Sequence, residues 1–218
     1  MNFEPILEHD LLRESVRRFF ERELPETRIR DMDRTRRIPR SLWKRFAEMS
    51  WMGLSVPIEF GGSGADVATA AVFCEELARR FPSLATDWLL VSMTARVLRE
   101  FGSPAQQAEL LPRLAAGDFL MAFGMSEPDG GTDVLALKTR ASLEGGEWVV
   151  RGQKLYTSLA DDADAILVLC RTEPVENKRS RGLSLILTPR DQPAVQVRRL
   201  ELMGMRAACT CEVFLDGA

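Results

Sequence analysis

At 218 residues the chain is long enough to bury one substantial core or two smaller ones. Its 29 basic and 32 acidic residues are interspersed and leave a net charge of −3, so no basic surface for nucleic acid or an anionic membrane is expected. His9 is the only histidine, and Cys74, Cys170, Cys209 and Cys211 form no metal-type Cys-x-x-Cys pair, so no metal site is expected.

The cysteines read as reduced, mostly core residues of a cytoplasmic protein. Cys209 and Cys211 lie two apart in a strand-like segment, share one face and are not expected to join. The opening MNFEPILEHDLL lacks a charged stretch followed by an apolar one, and no run approaches the length of a membrane span.

Leu11, Leu12, Val16, Phe19, Phe20 and Leu24 make one apolar stripe on a helix over 8–24. Residues 25–38 read as a charged connection. Pro39 opens a second helix through Leu42, Trp43, Phe46 and Met49. The glycines of 53–64 suit a chain reversal. Helices follow over 65–81, apolar apart from Glu75 and Glu76, and over 83–101. Ser103-Pro104-Ala105-Gln106 has the form of a capping box, and its helix should stop at Gly117. Residues 1–117 thus read as an all-helical domain.

From residue 118 the apolar period drops from 3.6 to 2, with strands expected over 119–126, 136–144, 147–155, 164–171, 182–188, 194–200 and 208–215. Glu144-Gly145-Gly146-Glu147 is a hairpin signal, and 173–181 a polar loop. The expected fold class is α+β: a helical domain, then a small antiparallel β-barrel or sandwich domain over 118–218.

Two polar turns interrupt this second half. Phe119–Phe123 is apolar, but Ser126-Glu127-Pro128-Asp129-Gly130-Gly131-Thr132-Asp133 crowds hydroxyls, carboxylates, a proline and two glycines together. Such a loop is rigid and leaves backbone N–H groups for an anion or the edge of a heterocycle. By composition alone it reads as a surface turn. The second segment, Gly152-Gln153-Lys154-Leu155-Tyr156-Thr157-Ser158, ends in an aromatic and two hydroxyls. Glu127 and Asp133 read as turn braces that accept backbone N–H bonds, not as general bases. No Gly-x-Ser-x-Gly elbow is present, and Gly61-Gly62-x-Gly64 lacks the strand a dinucleotide fingerprint needs.

FGMSEPDGGTD and GQKLYTS, in this order and about twenty residues apart, resemble the paired signatures of the acyl-CoA dehydrogenase family. SVPIEFGGSGAD, FGSPAQQAELLPRLAAGD and LMGMRAACTCEVFLDGA resemble further segments of its N-terminal and middle domains. The likeness spans the chain and omits the family's C-terminal helical domain. Thr132 stands where Ser is usual, Tyr156 for Trp, Thr157 for Ile and Leu159 for Asn.

The resemblance implies an FAD-dependent oxidoreductase that draws an α-proton and a β-hydride from an acyl-CoA thioester in fatty acid metabolism, inactive in this chain alone. It implies FAD contacts from Phe123, Met125, Ser126, Gly131, Thr132, Tyr156, Thr157 and Ser158. Tyr156 would wall one flavin face, Ser158 would reach flavin N5, and Thr132 would also touch substrate. No residue matches the family's catalytic glutamate, so no catalytic base is assigned. An electron-transfer flavoprotein is the implied acceptor, and a homotetramer the implied full-length assembly. An acyl-CoA oxidase, a flavin monooxygenase or a non-catalytic partner subunit would use the same scaffold. By the same analogy helix 83–101 lines the acyl pocket, with Trp88 and Leu89 shortening it.

Overall fold

The structure, a computed structural model, describes residues 6–174 and 179–218. They divide into two compact units: the described part of Met1–Phe119 with Met203–Ala208, and that of Leu120–Leu202 with Cys209–Ala218. Val175–Lys178, within the expected polar loop, and Met1–Pro5, within the opening segment, lie outside the described residues.

The first unit holds α1 (Leu7–Glu23), α2 (Glu26–Thr35), α3 (Arg40–Glu48), α4 (Val67–Arg80), α5 (Pro82–Phe101) and α6 (Pro104–Ala115). Their apolar stripes meet in an aromatic core. Trp51 packs edge-on to Phe19 and Phe46, with ring centroids 5.1 and 5.3 Å apart, and Phe73 packs on Trp88 at 4.7 Å. The Trp88 indole N–H donates to the Trp51 carbonyl at 2.9 Å, which satisfies the one polar atom of a fully buried ring. Trp88 is therefore committed to the core, whereas Leu89 and Met93 face outward. Only Leu89 of the expected pair remains available to line an acyl pocket.

The capping box forms: the Gln106 side chain accepts from the Ser103 N–H at 2.9 Å, and Ser103 Oγ accepts from the Gln106 N–H at 3.3 Å. α6 is followed by Gly117 at φ +65°, where a Cβ would sit 2.8 Å from the Trp43 carbonyl oxygen. Glu76 is buried on α4 and accepts from Arg17 of α1 at 2.8 and 2.9 Å. That pairing, with Arg13 and Arg79 nearby, holds its carboxyl below the usual range against the cost of burial.

The charged connection of 25–38 contains a helix instead, α2. Met32 is its one buried residue, so no apolar stripe announces it. Arg30 pairs with Glu26 and Arg34 with Asp31, and Arg36 caps the helix at φ 55° while the Arg37 N–H bonds the Met32 carbonyl.

The second unit is one curled sheet: β1 (Met121–Gly124), β2 (Arg140–Glu144), β3 (Glu147–Thr157), β4 (Ala165–Arg171), β5 (Leu183–Pro189), β6 (Val195–Arg199) and β7 (Cys211–Asp216). The order is β1-β4-β2-β3-β7-β6, with β5 also on β4. The helical part followed by a β part is as expected, but the sheet is mixed. β1 pairs with β4 in parallel, Met121 opposite Ala165, and Arg140 of β2 meets Arg171 of β4 in parallel. The polar loop and the β2–β3 hairpin form the long crossover that a parallel pair requires. These parallel pairs correct the expected wholly antiparallel barrel or sandwich; apolar alternation does not report strand direction. Cys209 takes φ 47°, and its Sγ lies 3.9 Å from that of Cys211, both thiols being free. Among the described residues no helix is long and apolar enough to cross a membrane.

Replacing Trp88 with Ala should cost about 3–5 kcal/mol, because it empties the ring's site and orphans the Trp51 carbonyl. Leu89→Ala, at an exposed position, should cost within about 0.5 kcal/mol. Urea unfolding of both variants checks the contrast.

Candidate functional site

The site is built on what happens at the ends of β1 and β3. β1 stops at Gly124, two residues short of the expected strand end, and Met125 and Ser126 leave the ladder. The chain then closes a tight turn in which Glu127 and Gly130 exchange backbone hydrogen bonds of 2.9 and 3.1 Å across Pro128-Asp129. The Leu155 N–H of β3 donates to the Ser126 carbonyl at 2.8 Å. This bond joins the two polar segments directly.

Lys154 lies beneath that junction with no solvent exposure. Its ammonium donates to Glu127 Oε1 at 2.8 Å and to the Met125 carbonyl at 3.1 Å. Glu127 accepts in addition the Lys138 N–H at 2.6 Å and the Thr139 N–H at 3.0 Å. One buried carboxylate thus ties the loop to β3 and to the start of β2. Burial pushes the Glu127 carboxyl up, but the hydrogen bonds from Lys154, Thr139 and Lys138 outweigh it and hold the group below the usual range. Burial draws the Lys154 ammonium down from the lysine range, and Glu127 opposes this. Gly124 gives the lysine stem room, since a Cβ there would already stand 3.2 Å from Lys154 Cγ. The brace expected of Glu127 is present. Lys154 is the residue that sequence reasoning misses, although a lysine buried in a strand needs an anion beside it.

Gly152 sits at φ +150°, where a Cβ would come within 2.7 Å of Thr139 Cα, so only glycine lets β3 approach β2 there. Beyond Lys154 the β3–β7 ladder shifts register. Lys154 pairs with Val213, but Thr157 pairs with Cys211, which gives β3 one extra residue. Tyr156 takes that residue's strain at φ 57°, a left-handed conformation rare for a bulky side chain. Strict alternation would put Tyr156 on the buried side with Lys154. The bulge turns it outward, 66% exposed.

The remaining expected residues fall as follows. Met125 is exposed and Ser126 half-buried on the loop beside β3; Gly131 and Thr132 are exposed further along it. Phe123 is half-buried on β1, paired with Leu167. Thr157 is buried, and its hydroxyl has no partner, so only its main chain is available outward. Ser158 Oγ lies 2.8 Å from Thr210 Oγ1. A hydroxyl donates once and accepts twice, so with Thr210 donating, Ser158 keeps its proton for a ligand. The Leu155–Ser126 bond sets Met125 and Ser126 beside the end of β3, where Tyr156 and Ser158 follow within three residues of Leu155.

Asp133 differs from the expected backbone brace: it accepts from Arg179 at 2.6 Å. The loop's far end is held by Arg171, whose guanidinium donates to the carbonyls of Leu135, Arg179 and Arg181 at 3.0–3.2 Å. Asp129 is taken up by Lys138 at 2.7 Å. All three loop carboxylates are therefore paired. By contrast, the N–H groups of Ser126, Gly131 and Thr132 and the hydroxyls of Ser126 and Thr132 meet no acceptor among the described residues. The site is a row of spare donors beside an exposed phenol ring.

Spare donors beside an aromatic ring are chemistry that fits a flat heterocycle with a phosphate tail. Residues 7–118 match the acyl-CoA dehydrogenase N-terminal domain, and residues 122–218 match the acyl-CoA dehydrogenase middle domain. The chain belongs to the acyl-CoA dehydrogenase family. It is 32% identical to a probable acyl-CoA dehydrogenase of Bacillus subtilis (strain 168), over 99% of this chain and 57% of that protein. An acyl-CoA dehydrogenase from Geobacillus kaustophilus superposes with a TM-score of 0.93 at 31% identity, over all of this chain and 57% of that one. A Mycobacterium smegmatis glutaryl-CoA dehydrogenase in complex with FADH2 gives 0.88 at 25% identity, over 98% and 53%. The chain spans about half the length of the curated relatives it matches, 49% and 57% for two of them.

Removing one partner of the Lys154–Glu127 pair strands the other. Glu127→Ala should destabilise the sheet unit by about 3–5 kcal/mol. Because folding lowers the Glu127 pKa, its contribution is complete above the ordinary glutamate value of about 4.3 and is lost as pH falls through the lower folded value. Denaturant titrations from pH 7 to pH 3 should show the wild type losing stability in that acid window, and Glu127→Gln losing less of it there.

Proposed function

We propose that this chain is the helical and middle β portion, with a boundary near residue 117, of an FAD-dependent acyl-CoA dehydrogenase. The observation that carries the reading is the exposed Tyr156, turned out of β3 by a bulge beside a loop of unpartnered donors. When bound, FAD supplies the acceptor for a hydride leaving the acyl β-carbon.

The chain's own residues bind and orient. The Met125 main chain and the Ser126 N–H and hydroxyl meet the polar edge of the ring system. Gly131 and Thr132 offer N–H and hydroxyl groups to the diphosphate, where the absence of a side chain on Gly131 leaves the backbone open. Tyr156 would cover one ring face, and Phe123 and the Thr157 main chain would add further contacts. Ser158, oriented by Thr210, places its proton toward the ring nitrogen that receives hydride. Thr132 also touches the acyl-CoA. Fixing donors before the ligand arrives spares the ordering cost at the moment of binding.

No base is assigned to this chain. Glu127, Asp129 and Asp133 are each ion-paired, and Glu127, held below the usual range by several hydrogen bonds, is a poor proton acceptor. The electron acceptor in this reading is a second flavoprotein, and the whole protein is a homo-oligomer.

Titration of FAD emission tests the reading. The expected result is saturable quenching by the protein, weakened about tenfold or more in Tyr156→Ala and in the Ser126→Ala/Thr132→Ala double variant, each removing donors or ring contact worth roughly 1–2 kcal/mol. Anaerobic addition of an acyl-CoA to the longer protein should then bleach the flavin's visible absorbance. A folded protein that leaves FAD emission unchanged would remove the proposal.

A further inference from the structure

Within the first unit a cavity of about 400 Å³ opens between α2, the α4–α5 junction and the 203–208 segment. It shares no residue with either polar turn. The helical period of α2 puts Arg30, Asp33 and Arg34 on one face. Arg80, the last residue of α4, and Arg206 join them at the cavity wall. Four guanidinium groups thus face one carboxylate. Asp33 makes no ion pair with them among the described residues, and its Oδ1 accepts the Ala207 N–H at 3.0 Å.

Arg30 and Arg34 have exposed partners on their own helix, Glu26 and Asp31. Arg80 and Arg206 make no hydrogen bond or ion pair among the described residues. Arg206 Nε is fully buried without an acceptor, an arrangement that costs the desolvation of a charged donor. Like charges confined in one cavity add repulsion.

A second, independent feature is of the same sign. Ser83 lines the cavity on a residue only 2% exposed, and its hydroxyl has no partner among the described residues. Its N–H is also unbonded, at the first turn of the 20-residue helix α5, whose N-terminal end is positive. Pro82 precedes it and contributes no competing N–H. Ile29, Phe81 and Met205 supply apolar wall.

We propose that this cavity binds a small phosphate monoester with an apolar or aromatic body. The dianionic head sits among Arg80, Arg206 and the N–H and hydroxyl of Ser83, with Arg34 at its rim. The body lies along Ile29, Phe81 and Met205. Guanidinium forks and a helix N-terminus converging from different elements suit the several acceptor oxygens of a phosphate. The volume is in the range of small-molecule sites and exceeds what inorganic phosphate fills.

Calorimetric titration of the 218-residue chain with phenyl phosphate tests this, with inorganic phosphate, benzoate and phenol alongside. Phenyl phosphate should bind with one-to-one stoichiometry, tighter than inorganic phosphate and benzoate, and phenol should give no heat. Added salt should weaken binding. Arg80→Gln, at an exposed position, should weaken binding about tenfold or more while leaving the melting temperature unchanged. Ser83→Ala should weaken it about three- to tenfold. The proposal fails if phenyl phosphate gives no heat at millimolar concentration, if phenol binds as well, or if Arg80→Gln binds as tightly as wild type. FAD quenching by Arg80→Gln should match wild type, so the outcome here is separate from that of the flavin reading.

Discussion

A lysine ammonium buried to zero exposure against one carboxylate is the constraint on which the placement of the sheet unit's polar loop depends. Two opposite charges withdrawn from water gain little net stability, since desolvation offsets much of their attraction. What the Lys154–Glu127 pair does accomplish is geometric. Glu127 accepts three hydrogen bonds from two separate segments, so its carboxylate fixes where the loop after β1 lies against β3 and the start of β2. Lys154 also takes the Met125 carbonyl, which fixes the orientation of the peptide next to Ser126. The acyl-CoA dehydrogenase signature is in this sense partly a brace. Its glutamate and the second motif's lysine point inward, and the hydroxyls and glycines between them stay free.

The bulge in β3 complements this brace. Lys154 faces inward to reach Glu127, and Tyr156, two residues later, faces outward. A regular strand cannot do both. One inserted residue and one left-handed tyrosine resolve the conflict at a conformational cost that the flanking β7 ladder sustains. The same local geometry brings Thr157 inward and leaves Ser158 beside Thr210, their hydroxyl oxygens 2.8 Å apart.

Much of this was legible in the sequence. The capping box at Ser103, the stop at Gly117 and the change of period after it follow from local chemistry that the fold does not override. The β2–β3 hairpin at Gly145-Gly146 likewise lies where its turn residues put it. The parts that were not legible have physical reasons. α2 is stabilised by charge pairs and one buried Met32, which leaves no apolar stripe to read. The parallel pairing of β1 with β4 depends on direction, to which alternation is blind. Trp88 faces the aromatic core although its neighbour Leu89 faces outward, a choice set by which side of α5 is covered. At the site, Lys154 was hidden because its partner lies 27 residues away, and the bulge was hidden because a one-residue register shift leaves no compositional trace.

Tyr156 is the only tyrosine in the chain, which permits a direct test of the claim that the two polar turns converge on one planar ligand. Protein labelled with 3-fluorotyrosine gives a single fluorine resonance, to be followed by NMR during an FAD titration. The account predicts that this resonance shifts in step with quenching of flavin emission, and that in Glu127→Gln both responses weaken together. Flavin quenching that saturates while the fluorine resonance stays in place would contradict it.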